Sequence, residues 1–196
     1  MEDGNVKVAV GGNPSVVRGK MSGALEFDGR RDFLSGDDQS GACLGDLTLC
    51  QYGLLIGMWV RFNELRDSYI LSTGNKGVKL YLRDSRLVAE AQQGENFWQT
   101  YWTVPEAGRW YFIELAWNPS DGLGLYADLK QVARASSSRR SQPRSGNNHL
   151  NIGKSGLNQE GERYASMVMD DLEMWYGDRS QLIDLEFISR GETVLG

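Results

Sequence analysis

Apolar and polar positions alternate with a period of two along most of the chain, as they do in strands that bury one face. The cleanest run is 54–62. There Leu54, Ile56, Met58, Val60 and Phe62 share one side, and Leu55, Gly57, Trp59 and Arg61 share the other. In 109–117, Tyr111, Ile113, Leu115 and Trp117 lie opposite Trp110, Phe112, Glu114 and Ala116. A strand apolar on both sides predicts a central position, covered twice. Shorter alternations place Val78, Leu80 and Leu82 inward and Lys79, Tyr81 and Arg83 outward, followed by Leu87, Ala89 and Ala91 inward. Segment 97–103 puts Trp98 and Trp102 on one face and Phe97 and Tyr101 on the other. Segment 123–127 puts Leu123, Leu125 and Ala127 opposite Gly124 and Tyr126. The last long strand, 165–176, carries Val168, Asp170, Leu172 and Met174 on its expected inner face and Asp171, Glu173 and Trp175 on the other.

Turn chemistry separates these runs. Asp28-Gly29, Asp84-Ser85 and 118–121 read as tight turns, and 35–41 reads as a polar loop. No helix-period run of useful length precedes 179–188, where Leu182, Ile183, Leu185 and Phe187 predict a short helical turn. The stretch 135–148 (ASSSRRSQPRSGNN) is poor in apolar residues and carries Arg139, Arg140 and Arg144 among serines. It predicts a mobile basic surface loop, either merely solvated or a contact for an anionic partner such as a sulfated glycan. The fold expectation is one all-β domain over 1–196, a two-sheet antiparallel sandwich.

Composition narrows the function classes. Charged residues are 24% and the hydrophobic set 40%, as in ordinary globular domains. A net charge of −5 argues against general affinity for nucleic acid. No apolar run of about 20 residues is present to span a bilayer, and no basic-then-apolar leader opens the chain. The opening Met1-Glu2-Asp3-Gly4 suits a domain cut from a larger protein. The only cysteines, Cys43 and Cys50, flank Gly45, which lets the loop turn back, so a short disulfide is feasible; two free buried thiols are the alternative. A single histidine, His149, argues against zinc. A disulfide implies an oxidising compartment and contributes about 2–3 kcal/mol for so short a loop.

Four stretches, in order, resemble the laminin-G-like, pentraxin-like jelly roll of the concanavalin A-like superfamily. They are Gly19-Lys20 through Ala24-Leu25-Glu26-Phe27-Asp28-Gly29 with Asp32-Phe33; the tryptophan strand 53–62; the paired strands 109–130; and 150–153 with 169–176. Cys43 and Cys50 ahead of the tryptophan strand resemble a variant of animal cell-surface members. Asp128-Leu129-Lys130 departs from the family's Asp-Gly hairpin, so that turn must be built differently. The resemblance implies a jelly roll with one concave sheet, used extracellularly to bind glycans or proteins, often with calcium. The superfamily also contains glycan-cleaving enzymes.

Each implication has residues to carry it. Asp170, on the expected inner face, needs a partner, which calcium, a backbone N–H or an arginine would supply. Asp28 and Asp32 are the neighbours the family suggests for completing a calcium site. Glycan hydrolysis needs two carboxylates across the scissile bond. Asp171 with Glu173 is the nearest pair, and the family's two-glutamate arrangement is missing. Trp59, Arg61, Lys79, Tyr81, Arg83, Tyr126, Glu173 and Trp175 fall on outward parity. If they share one sheet, they form an aromatic and basic binding face. The expectation is therefore a non-enzymatic extracellular recognition or adhesion module of a larger secreted or cell-surface protein, binding a protein or glycan. The alternatives are a structural spacer and a glycan-cleaving enzyme.

Overall fold

The computed structural model describes residues 8–21, 23–143, 148–156 and 163–180. Fifteen strands follow in order: β1 (Val8–Gly11), β2 (Ser15–Arg18), β3 (Gly23–Asp28), β4 (Phe33–Asp38), β5 (Leu54–Phe62), β6 (Ser68–Ser72), β7 (Val78–Arg83), β8 (Arg86–Gln93), β9 (Asn96–Thr103), β10 (Trp110–Asn118), β11 (Gly122–Ala127), β12 (Lys130–Ala135), β13 (Arg139–Arg140), β14 (His149–Ile152) and β15 (Ser166–Tyr176). They form two antiparallel sheets. The eight-stranded sheet has the order β1-β4-β14-β6-β7-β8-β9-β13, and the seven-stranded sheet β12-β11-β10-β5-β15-β3-β2. The all-β sandwich expected from the alternation is the observed architecture, with non-consecutive neighbours as in a jelly roll.

The inner faces follow the period of two. From β5 the core takes Leu54, Ile56, Met58, Val60 and Phe62; from β10 it takes Tyr111, Ile113, Leu115 and Trp117. These meet Val78, Leu80, Leu82, Leu87, Ala89 and Ala91 of the opposite sheet. Trp98 stands edge-on to Trp117 at 5.7 Å, and Trp102 edge-on to Tyr111 at 5.5 Å, so both β9 tryptophans are packing residues that join the sheets. Each side chain of this size contributes about 1.5–3 kcal/mol when fully buried.

The two cysteines form a disulfide with Cα atoms 4.8 Å apart. It closes the loop containing a 3-10 turn at Leu47–Leu49, capped by the Asp46 carboxylate, which accepts from Thr48 N. Leu44, Leu47 and Cys50 from this loop enter the core. The bridge therefore pins a loop that feeds the sandwich interior.

Three expectations are corrected. Strand β4 extends through Asp38 instead of giving way to a loop at 35, because β1 and β14 supply hydrogen-bonding ladders on both sides. The basic stretch 135–148 is not one mobile loop. Arg139 and Arg140 pair with Phe97 and Asn96, Ser141 N donates to Glu95 O at 2.9 Å, and Gln39 N donates to Asn148 O at 2.8 Å. In β15, the register against β5 shifts between Asp170 and Glu173, and Asp171 has φ 53°. A bulge reverses the alternation. Met167 and Met169 thus face the core before it, Leu172 and Met174 pack inward after it, and Val168 and Asp170 lie on the outer face. The Asp128-Leu129 turn is built differently from an Asp-Gly hairpin, as expected, and is closed by φ of 49° and 67°, with Asp128 Oδ1 accepting from Phe112 N at 3.0 Å. Carboxylate anchoring does there what glycine does in the usual hairpin. Arg144 and the proposed turn residues Leu182, Ile183, Leu185 and Phe187 lie outside the described residues.

Candidate functional site

The β6–β7–β8–β9 register fixes a grid of side chains on the outer face of the eight-stranded sheet. One row across it is Tyr69, Tyr81, Val88 and Tyr101. On one side of this row lie Lys79, Glu90 and Gln99; on the other lie Arg83, Arg86 and Thr103. Beyond Gln99, Gln92 is followed by Phe97 and then Arg139 of β13. Tyr69, Tyr81 and Val88 form a small buried cluster of their own, with the two rings 5.2 Å apart. Tyr101 remains 54% exposed.

Glu90 is the hub of the polar row. Its Oε1 accepts from Tyr81 OH at 2.8 Å and from Gln99 Nε2 at 2.7 Å, and Lys79 Nζ stands 3.9 Å from Oε2. Burial, reinforced by the Glu90 charge and its hydrogen bond, pushes the Tyr81 phenol well above its ordinary pKa. Tyr81 is therefore a neutral donor at any physiological pH. Beside this network opens a recess of about 200 Å³, lined by Gly74, Asn75, Gly77, Lys79, Glu90, Ala91, Gln92, Phe97, Ser141 and Gln142. Gln92 is fixed by donating to Gly94 O at 2.6 Å and Ser141 O at 3.0 Å, which ties the stretch after β13 to the recess wall. Amides, a carboxylate, an ammonium group and one aromatic ring make a lining suited to a hydroxyl-rich ligand. Strands β7, β8 and β9 contribute a single carboxylate, Glu90, whereas glycosidic hydrolysis needs two.

Arginines frame the same face. The Arg83 guanidinium lies 5.1 Å from the Tyr81 ring centroid, Arg86 4.8 Å from Tyr101, and Arg139 4.6 Å from Phe97. Such contacts keep the charged groups against the rings of this face.

The sequence-derived binding residues divide between two faces. Lys79, Tyr81 and Arg83 belong to the grid just described. Trp59, Arg61, Trp175, Tyr126 and Glu173 lie on the outer face of the seven-stranded sheet, with the whole sandwich between the groups. Much of that second group is already engaged. Trp59 packs at 5.3 Å on Phe112 under Lys20, and Arg61 lies 5.5 Å from the Trp110 centroid. Trp175 flanks Gly57, where a Cβ would meet Phe112 at 3.3 Å and Trp175 at 3.4 Å. A one-sheet face combining both sets is not formed, because outward parity says nothing about which sheet a strand joins.

The three carboxylates expected at a calcium site do not converge. Asp28 pairs with Ser166 in the β3–β15 ladder, and Asp170 lies further along β15. Asp28 Oδ1 accepts from the backbone of Arg30 and Arg31, while Asp32 accepts from Asn13 N at 2.7 Å and Asp28 N at 3.0 Å. Asp170 Oδ2 accepts from Met21 N at 2.9 Å. Backbone N–H donors hold all three carboxylates. Among the described residues, no group of three or more His, Cys, Asp or Glu side chains gathers as a metal centre.

Sequence reading missed Glu90, Gln99, Arg86 and Phe97 as site residues. Their outward parity was visible in β8 and β9, but only the strand order brings them beside Lys79 and Tyr81.

No family model matches the sequence, and no curated protein matches it. Solved structures do match in fold. The botulinum neurotoxin serotype C1 binding domain aligns with a TM-score of 0.69 at 13% identity, over 94% of this chain and 47% of that chain. The receptor-binding domain of a botulinum neurotoxin C/D mosaic serotype aligns at 0.66 and 13%, over 96% and 47%. A third structure, titled as showing that cell entry of botulinum neurotoxin type C depends on interaction with two ganglioside molecules, aligns at 0.68 and 13%, over 94% and 46%. The chain spans about half the length of these domains, and at such identities the likeness is one of fold.

Proposed function

We propose that the chain is a non-catalytic, extracellular glycan-recognition module, and that it reads its ligand on the outer face of the eight-stranded sheet. The observation that carries this reading is the grid around Glu90. An exposed tyrosine, Tyr101, stands beside a row of fixed hydrogen-bonding groups, Lys79, Glu90 and Gln99, of which Lys79 and Glu90 line a polar recess. Aromatic rings offer the apolar face of a sugar a flat partner at low entropic cost, and prearranged amides and carboxylates fix its hydroxyls. The disulfide supports a secreted or cell-surface setting. The fold shared with toxin binding domains, one of them titled for ganglioside interaction, is consistent with the same use. The ordered motifs that resemble laminin-G-like members of the concanavalin A-like superfamily point the same way.

A glycan array probed with the intact chain, beside a cell-surface protein-binding screen, tests this reading. Binding to defined glycans, lost at least tenfold in Tyr101→Ala and retained in Tyr52→Ala, an exposed site off the grid, is the expected result. Silence on the array with capture of a surface protein would replace the glycan by a protein partner. Silence in both would leave a structural spacer, and release of sugar products would overturn the non-catalytic assignment.

A further inference from the structure

We infer that the ligand of this face is an acidic oligosaccharide bearing sparse carboxylates, lying along β9 with one end at Arg139 and the other at the Arg83–Arg86 pair. The inference rests on the glycan reading above and adds the charge class and direction of the ligand.

The argument begins with where arginines go. Arg66, Arg109, Arg134, Arg163 and Arg179 each hold a carboxylate of this chain. Arg83, Arg86 and Arg139 form no such pair among the described residues and gather on aromatic rings of one face, whereas Arg61, likewise without an ion pair there, lies alone on Trp110 of the other sheet. A guanidinium stacked on a ring keeps its in-plane N–H groups for another partner, and that fork matches a carboxylate in bidentate geometry. Arg83 and Arg86 are direct cross-strand partners without an intervening acid in the ladder, and their guanidiniums lie on Tyr81 of β7 and Tyr101 of β9. Like charges placed opposite each other in a sheet are unfavourable. A bound anion removes that cost.

The register sets the direction. Arg139 sits opposite Phe97, and Arg86 sits opposite Thr103, at the two ends of β9. At strand rise the two ends are about 20 Å apart. The guanidiniums themselves lie over Phe97 and Tyr101, about 13 Å apart at strand rise, with Gln99 between them on the same side of the strand. Hydroxyl recognition at Gln99 and Glu90 thus occupies the middle of the strip, and a cation with its ring occupies each end.

Charge density selects among anionic glycans. The strip also holds Glu90; the turn between Arg83 and Arg86 holds Asp84, whose N–H is bonded to Asp67; and the chain as a whole carries −5. A densely sulfated chain meets repulsion between its cationic contacts. A chain with one carboxylate every few sugars does not.

The test is a panel of carboxylated oligosaccharides, each printed beside its carboxyl-reduced neutral form, with sulfated oligosaccharides alongside. It is read at 50 and 200 mM salt with wild type, Arg83→Gln/Arg86→Gln and Arg139→Gln. The expected result is at least tenfold preference for the carboxylated over the reduced form, weaker at the higher salt. The double variant should lose that preference, with a melting temperature no lower than that of wild type. Equal binding of reduced and carboxylated forms would overturn the charge assignment and leave the glycan reading standing. Stronger binding of the sulfated forms would overturn the choice of carboxylate. No binding to any member would remove the glycan reading and this inference together.

Discussion

Arg179 reaches back over the outer face of the seven-stranded sheet to place Nη2 2.9 Å from Glu114 Oε2, while its guanidinium lies 3.8 Å from the Tyr126 ring centroid. The Glu114 side chain is 1% exposed and that of Arg179 18%. Glu114 Oε1 and Arg179 Nε have no hydrogen-bond partner among the described residues, so one contact and one ring satisfy the pair. Removing one charge from such a pair strands the other in a low-dielectric site. Arg179→Met is expected to destabilise the fold by about 3–5 kcal/mol in urea denaturation. Arg179→Met combined with Glu114→Leu should recover most of that loss. A single variant as stable as wild type would mean that Glu114 does not depend on Arg179 for its stability in the fold.

The disulfide acts on a different part of the structure. It closes a short loop whose Leu47 and Cys50 are core residues, so reduction loosens a segment that fills the sandwich. A reducing agent should lower stability by about 2–3 kcal/mol, read as a shift in denaturation midpoint with little change in slope. An unchanged midpoint with thiol titration confirming reduction would assign the loop's stability to packing alone.

Acid sensitivity has a local source at Asp28. Burial alone would raise its pKa, but backbone N–H groups of Arg30, Arg31 and Asp32, with the nearby Arg30 charge, outweigh burial and hold it below the ordinary 3.8. A carboxyl lowered on folding contributes stability above its unfolded pKa and loses it as the pH falls through the folded value. The melting temperature of Asp28→Asn should therefore trail that of wild type at pH 6, and the gap should shrink as the pH is lowered below about 4. A gap constant from pH 6 to pH 3 would show that the ionised form has no special role. Asp178, lowered by the Ser180 hydroxyl and backbone N–H, acts in the same direction and keeps the variant's own profile from becoming flat.

The bulge in β15 shows both how far alternation carries and where it stops. In β5 and β10 every core position is readable, because both strands run nine residues with no break in their period. The same rule assigned Val168 and Asp170 inward with Leu172 and Met174 and failed, since one added residue at the bulge gives the two halves of the strand opposite parity. The binding grid has the same limit. Lys79, Tyr81 and Arg83 are legible as outward residues, yet their separation from Trp59 and Trp175 depends on long-range strand order. The bulge is itself testable. Asp171 has φ 53°, a conformation that asparagine or glycine adopts readily and a β-branched residue does not. Asp171→Val should cost about 1–3 kcal/mol and Asp171→Asn under about 1. Equal stability of the two would argue against a positive φ at this site.

The ordered part of the basic stretch is held at Ser141 by Glu95 O and Gln92 Nε2, and at Arg139 by the Phe97 ring. Arg139 lies over Phe97, and β13 holds only two residues, so its ladder with β9 is too short to persist without side-chain support. Ser138 Oγ and Gln142 Nε2 add contacts to Asn96 and Glu95, but both are exposed and exchange readily with water. Phe97→Ala removes the surface on which Arg139 stacks while leaving Trp98, the neighbouring core residue, in place. Trypsin should then cut after Arg139 and Arg140 several-fold faster than in wild type, with unchanged cutting after Arg30 and Arg31 in the β3–β4 turn. Mass spectrometry of early fragments distinguishes the sites. Equal rates at Arg139 in both proteins would mean that backbone pairing alone holds β13 against β9. The stacked arginine would then have to be placed by its ligand and not by the fold.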